Sequence, residues 1–187
     1  MLEVEESRAL LDRAELVFDA VCCEAKLKEL ATRITEKLSD EFPLVIALMN
    51  GAAVFAGKLL PLLNFPLQFE STQVSRYRNQ LRGATLEWQH PPRGDLVKSH
   101  TVLLLDDVLD EGHTLLAVRK KILSLGAKAC YSAVFVEKIL DVAKPISADF
   151  VALQAPNCYL FGYGMDVKGY WRNLPAVYAC LLYTSDA

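Results

Sequence analysis

The segment VLLLDDVLDEGHTL, Val102 to Leu115, constrains this 187-residue chain more than any other stretch. The apolar run Val102-Leu103-Leu104-Leu105 reads as a strand buried on both faces, as in a parallel sheet. Two carboxylates, Asp106 and Asp107, close the run, and Asp110 follows in a turn. After Gly112, His113 and Thr114, a helical pattern runs from Leu115-Leu116 through Val118, Ile122 and Leu125. A strand, a glycine turn and a helix N-terminus make an anion site, because the first helical turn leaves backbone N–H groups unpaired and the helix dipole adds positive potential. Three carboxylates beside a bare phosphate would be self-defeating. They make sense if the ligand also brings hydroxyls, a metal and a proton to be removed.

Strands and helices alternate along the rest of the chain. Helical periodicity spans residues 3 to 40, with Leu10, Leu11, Ala14, Val17, Phe18 and Val21 on one side, until Pro43. Leu44 to Met49 is a short apolar strand running into the turn Asn50-Gly51. Ala52 to Leu63 predicts a helix, Leu67 to Val74 a strand, Ser75 to Gly83 a long polar loop, and Leu86 to Gln89 a returning strand. Pro91 to Gly94 is a turn, Ala127 to Val136 a further strand, and Lys138 to Lys144 a connector. This alternation predicts a doubly wound, mostly parallel α/β sheet flanked by helices. Ligands of such sheets sit beyond the carboxyl ends of the strands. The turns at Asn50-Gly51, at Asp106-Asp107 and at Lys138 are therefore expected to share one crevice. The chain has no internal repeat, low-complexity tract or linker.

Composition removes other classes. A chain 52% hydrophobic at this length suits one well-buried domain. A net charge of −3 argues against a nucleic-acid surface, which needs clustered Lys and Arg. No stretch approaches a membrane span, and the acidic start MLEVEESRALL is unlike a signal peptide. The cysteines, Cys22, Cys23, Cys130, Cys158 and Cys180, are odd in number and contain no C-x-x-C pair, so reduced thiols of a cytoplasmic protein are expected. His90, His100 and His113 lack metal-ligand spacing.

A strand-ending acidic pair alone is commonly just a solvated turn. The full string is more specific: it resembles the signature of the type I phosphoribosyltransferase family, which binds 5-phosphoribosyl diphosphate (PRPP). The resemblance implies that Asp106 and Asp107 hold the ribose hydroxyls and that Asp110, Glu111, Gly112, His113 and Thr114 wrap the 5′-phosphate. Asn50-Gly51 is similar to the family's pyrophosphate loop, where a glycine admits close backbone approach. Many relatives have a second glycine where this chain has Ala52, and the peptide bond before the glycine can be cis. SRYRN, Ser75 to Asn79, resembles the catalytic loop that closes over the reacting centre, with Tyr77 in the family's tyrosine position.

Two further matches select a branch of the family. A lone lysine after a strand is commonly surface charge, yet Lys138 is similar to the lysine that donates to the exocyclic oxygen of 6-oxopurines. The segment NCYLFGYGMDVKGYWRNLP, Asn157 to Pro175, resembles the small base-binding hood of the hypoxanthine-guanine branch. There Tyr159 would stack on the purine, Leu160 would line it, Asp166 would help Asp106 hold Mg²⁺, and Arg172 would bind pyrophosphate. Without the family, these aromatics would read as core, and Tyr170 and Trp171 are expected to pack the hood onto the domain.

The resemblance implies a transferase joining hypoxanthine or guanine to PRPP, with Asp110 as general base or acid at purine N7, Mg²⁺ as cofactor, and a homo-dimer or homo-tetramer as the assembly. Nucleic acid and membrane are not expected partners. Two rivals are a xanthine preference and a non-catalytic PRPP-sensing regulator. The regulator would be expected to carry a basic face or an added DNA-binding domain, and this chain has neither. One domain is expected over residues 1–179, the hood built from the N-terminal helices and about 155–179. The ending CLLYTSDA, Cys180 to Ala187, departs from the family and equals the translation of a transposon end used in sequencing libraries, so a non-native tail is expected there.

Overall fold

The computed structural model describes residues 4–76 and 86–180, with side chains described over 4–74 and 87–180. Tyr77 and residues 181–187 of the expected tail lie outside the described residues. The helices are α1 (Val4–Asp12), α2 (Ala20–Leu38), α3 (Ala52–Leu59, continued by a 3-10 turn Leu60–Leu62), α4 (Gly94–Val97) and α5 (His113–Ser124). The strands are β1 (Glu15–Phe18), β2 (Leu44–Met49), β3 (Gln68–Arg76), β4 (Leu86–His90), β5 (Thr101–Leu109), β6 (Ala129–Ile139), β7 (Phe150–Pro156), β8 (Tyr159–Phe161) and β9 (Val177–Cys180).

Six strands form the main sheet in the order β4-β3-β2-β5-β6-β7, parallel except for the antiparallel edge pair β3-β4. Strand side chains alternate between faces, and the two faces feed separate cores. Val45 and Ala47 of β2 with Leu103 and Leu105 of β5 pack under α2 and α3, against Leu27, Leu30, Ile34 and Phe55. Leu44, Ile46, Val102 and Leu104 face the other way, against Leu115, Val118 and Ile122 of α5. Both faces are covered, which is why the strands are unbroken apolar runs and why the sheet is doubly wound, as expected.

The N-terminal region differs from a continuous helical stretch. Ala14, Val17 and Phe18 lie in or beside β1, and α2 starts only at Ala20. Asp19 is the reason: with φ −72° and ψ 168° it leaves the helical region, and its carboxylate accepts from the Cys22 N–H at 2.7 Å. A side-chain cap of this kind fixes a helix start and offsets one unpaired donor. β1 joins β9 and β8 in a small antiparallel sheet, order β1-β9-β8, separate from the main one. Trp171 ties α1 to this unit by donating its indole N–H to the Ser7 carbonyl at 2.8 Å. Cys180 is the last residue of β9, opposite Tyr159 and buried beside Phe161.

Two strand ends also extend beyond the apolar runs that suggest them. Asp106 and Asp107 lie within β5, not in a turn after it, because the ladder to β6 continues through Asp106↔Val134 to Leu109↔Glu137. Lys138 likewise lies within β6, opposite Ala155 of β7.

Candidate active site

β5 delivers its carboxylates to the carboxyl end of the sheet. Asp107 is buried, its backbone N–H donates to Asp106 Oδ1 at 3.1 Å, and its own Oδ1 accepts from the Val108 N–H at 2.9 Å. Burial raises both carboxyls above the ordinary carboxylate range, Asp106 well above it because the Asp107 charge adds to the burial. The Arg172 guanidinium opposes the rise at Asp107. Asp106 is thus the partner that holds a proton more readily.

Gly51 lies against this pair. A β-carbon there would sit 2.7 Å from Asp107 Oδ1, and closer still to Oδ2 and Cγ. Gly51 has ordinary right-handed φ and ψ, so closeness and not conformation requires the glycine. Gly164, at φ +108°, approaches Gly51 from the other side, where a β-carbon would collide with the Gly51 carbonyl oxygen. Two glycines therefore let three segments converge on Asp107. The cis peptide bond is Met49–Asn50, one residue before the expected position. Ala52 is fully buried at the start of α3.

A cavity of about 670 Å³ opens in front of β5, lined among others by Asp106, Asp107, Asp110, Glu111, Gly112 and Thr114. Gly112, at φ 83°, turns the chain into α5, and no side chain caps that helix. Its first-turn N–H groups are open to an anion. Glu111 and His113 are both exposed, and His113 does not line the cavity. A smaller cleft of about 170 Å³ adjoins it, lined by Asp107, Val108, Asp110, Lys138, Tyr159, Leu160, Met165 and Asp166. Here Lys138 Nζ donates to Asp110 Oδ2 at 2.8 Å, its side chain 9% exposed against 47% for Asp110.

Arg172 donates through Nη1 to the Gly164 carbonyl at 2.7 Å and pairs through Nη2 with Asp166. Asp166 Oδ2 accepts from the Gly169 N–H at 2.7 Å, and Tyr159 donates its hydroxyl to the Asp166 carbonyl at 3.2 Å. Among the described residues no three His, Cys, Asp or Glu side chains converge on a metal position. A Mg²⁺ ion that takes one or two carboxylates and completes its shell with substrate oxygens would fit such a site, with Asp106 lining the larger cavity. The cysteines are unbridged, and burial pushes the Cys23 and Cys130 thiols up to about 12, so neither is a nucleophile at neutral pH.

The structure thus brings Asp106, Asp107, Asp110, Gly112, Thr114, Lys138, Tyr159, Leu160 and Asp166 to two adjoining cavities, with Gly51 beside Asp107 and Arg172 bonded to Asp166. The sequence assigns no role to Leu140, Asp141, Val142 and Asn157, which also line the larger cavity, or to Met165 in the cleft. Only the G-Y-G-M-D string hinted at Gly164.

A doubly wound sheet with an acidic pair near the carboxyl end of β5, an uncapped helix N-terminus and a second small sheet makes an α/β protein built to hold an anionic ligand. The family profile described as phosphoribosyl transferase domain matches residues 18–167, and the chain belongs to that family. It is 34% identical over 155 residues to a hypoxanthine-guanine phosphoribosyltransferase of Aquifex aeolicus, covering 82% of this chain and 86% of the relative. The protein of the same name from Bacillus subtilis is 28% identical over 152 residues, covering 81% and 84%. Among solved structures, the hypoxanthine phosphoribosyltransferase of Trypanosoma cruzi superposes with a TM-score of 0.74 at 23% identity, covering 89% of this chain and 95% of that one. A hypoxanthine-guanine-xanthine phosphoribosyltransferase gives 0.76 at 22%, covering 92% and 99%.

Proposed function

We propose that this protein transfers the 5-phosphoribosyl group of PRPP to N9 of hypoxanthine or guanine, giving IMP or GMP and pyrophosphate in purine salvage. The observation that carries the reading is the Lys138–Asp110 pair at 2.8 Å. It sets a donor beside an acceptor in a cleft that also holds Tyr159 and Leu160. A 6-oxopurine with its proton on N7 presents the complementary edge, O6 as acceptor beside N7–H as donor. Adenine offers an amino donor there, which an ammonium cannot pair with.

On binding, Lys138 donates to O6 and Asp110 accepts from N7–H. Tyr159 stacks on the ring and Leu160 lines it. Asp106 and Asp107 accept from the ribose hydroxyls, while the N–H groups from Asp110 to Thr114 hold the 5′-phosphate, Glu111 and His113 through backbone alone. The backbone of Asn50 and Gly51 meets the diphosphate, and Arg172 binds the pyrophosphate. N9 then attacks C1 of the ribose, the bond to pyrophosphate breaks with its electron pair, and the N7 proton passes to Asp110. Asp106 and Asp166 would hold Mg²⁺, which when bound would supply charge stabilisation for the leaving pyrophosphate. Tyr77, outside the described residues, is assigned to catalysis by its resemblance to the family's loop tyrosine. A homo-dimer or homo-tetramer in the cytoplasm, consistent with five unbridged thiols, completes the reading.

A xanthine preference and a non-catalytic PRPP sensor are not favoured, since relatives at 26–34% identity are named for hypoxanthine and guanine transfer. The test is PRPP-dependent turnover of hypoxanthine, guanine, xanthine and adenine, side by side with Mg²⁺. Turnover confined to adenine, or none with any base, would overturn the proposal.

A further inference from the structure

Lys144 lies in the connector between β6 and β7, yet its side chain is only 11% exposed. Its ammonium donates to the Leu109 carbonyl at 3.3 Å, to Glu137 Oε1 at 3.2 Å, and to the carbonyl of Lys138. An ammonium has three N–H donors, so these acceptors use all of them. Glu137 offsets the charge, and its other oxygen accepts from Gln154 Nε2 on β7 at 3.2 Å. A cation this far from water persists only when paired in this way.

The acceptors are not arbitrary parts of the fold. Leu109 is the last residue of β5, immediately before Asp110, and Lys138 is the other half of the base-edge pair. The β5-β6 ladder reaches Leu109↔Glu137 and goes no further. Beyond that rung, no sheet hydrogen bond fixes Asp110 relative to Lys138, and one side chain bridges the backbones of both segments. We propose that Lys144 is a positioning residue, which sets the spacing of Asp110 and Lys138 to match the N7 and O6 edge of the purine. It acts through those residues and does not touch the base. This rests on the base-edge reading given above.

The test compares Lys144→Met, Lys144→Arg and Lys138→Ala, singly and with Lys138→Ala combined with Lys144→Met. Displacing a reacting group by about 1 Å can cost on the order of a hundredfold. Lys144→Met is therefore expected to lower kcat/KM for hypoxanthine by about tenfold to a hundredfold, while the KM for PRPP, whose 5′-phosphate meets the Asp110 N–H beside the released Leu109 carbonyl, rises by a smaller factor. Lys144→Arg keeps a multivalent donor and should recover part of the loss. The double variant should lose less than the product of the two single losses, because with Lys138 gone only Asp110 is left to position. A role in stability alone would instead lower the thermal midpoint, affect both substrates alike and multiply with Lys138→Ala; that pattern overturns the proposal. If Lys144→Met does not fold, Lys144→Gln takes its place; its amide nitrogen sits one bond nearer the backbone than the ammonium and cannot hold both carbonyls at the same spacing, so an unchanged hypoxanthine kcat/KM in that variant also overturns the proposal. Failure of the underlying reading is distinguishable, because Lys138→Ala would then itself leave hypoxanthine use intact.

Discussion

Gly51 and Asp107 approach so closely that a β-carbon on the glycine would occupy the space of the carboxylate. Because Gly51 is already in the right-handed helical region, alanine meets no backbone penalty there. Gly51→Ala therefore reports on crowding at this point and not on backbone strain. Overpacking costs about 1–3 kcal/mol, and forcing Asp107 aside should weaken PRPP binding by roughly tenfold to a hundredfold. Calorimetric titration of PRPP with Mg²⁺ measures it; an unchanged dissociation constant would remove Asp107 from the ribose site. Gly57→Ala is the control, since a β-carbon there meets nothing within 4 Å. In the interior of α3 it should add about 0.5–1 kcal/mol of stability and leave activity alone.

Much of this architecture is legible in the sequence because β2 and β5 are buried on both faces and so show as unbroken apolar runs. What apolarity cannot show is where a ladder stops. Asp106, Asp107 and Lys138 stay in strands because their backbones remain paired with β6 and β7. β1 is hidden because Val17 and Phe18 fall into helical register with their neighbours; the local signal that separates them is Asp19 capping Cys22. The roles of Gly164 and Lys144 depend on contacts with Gly51 and Leu109, distant in sequence, and no local pattern encodes either.

Lys138 and Asp110 should separate base use from PRPP use. Lys138→Ala removes a charged donor to O6, worth roughly 1.5–3 kcal/mol, and should depress hypoxanthine and guanine turnover with little effect on PRPP affinity. Its loss leaves Asp110 half-exposed and hydrated, so the fold should survive. Asp110→Asn keeps the shape but cannot take the N7 proton, and should cost about 10²–10⁴-fold in kcat. Single-turnover kinetics at saturating PRPP distinguish the two; near wild-type kcat in Asp110→Asn would show that the proton leaves by another route.

Asp106 links activity to stability through pH. Its carboxyl is held well above the ordinary value of 3.8 by burial and by the Asp107 charge. Between those two values the folded protein binds a proton that the unfolded chain has released. Stability is therefore greatest below the ordinary value and falls as pH rises through the raised one. Asp106→Asn has no such proton and removes a charge from beside Asp107. Its thermal midpoint should increasingly exceed that of the unliganded parent as pH rises from about 4 to about 8, while PRPP binding is lost. A constant difference between the two melting curves across that range would mean that Asp106 is not raised.

Cys180 makes the terminal segment testable to the residue. Its backbone pairs with Tyr159, and its side chain is buried with Phe161, so it contributes to the small sheet that carries the proposed stacking residue. A chain ending at Cys180 should keep wild-type turnover and thermal midpoint, because every residue assigned to chemistry precedes that point. A chain ending at Ala179 removes one rung and the buried thiol. Losing a short buried side chain together with its ladder bonds should cost about 1–2 kcal/mol, and the loosened Tyr159 should raise the KM for hypoxanthine more than that for PRPP. Thermal melts and both KM values on the two truncations decide the matter. Loss of purine use in the longer truncation, with the protein still folded, would show that residues 181–187 belong to the working enzyme and would end the reading of that stretch as a foreign tail.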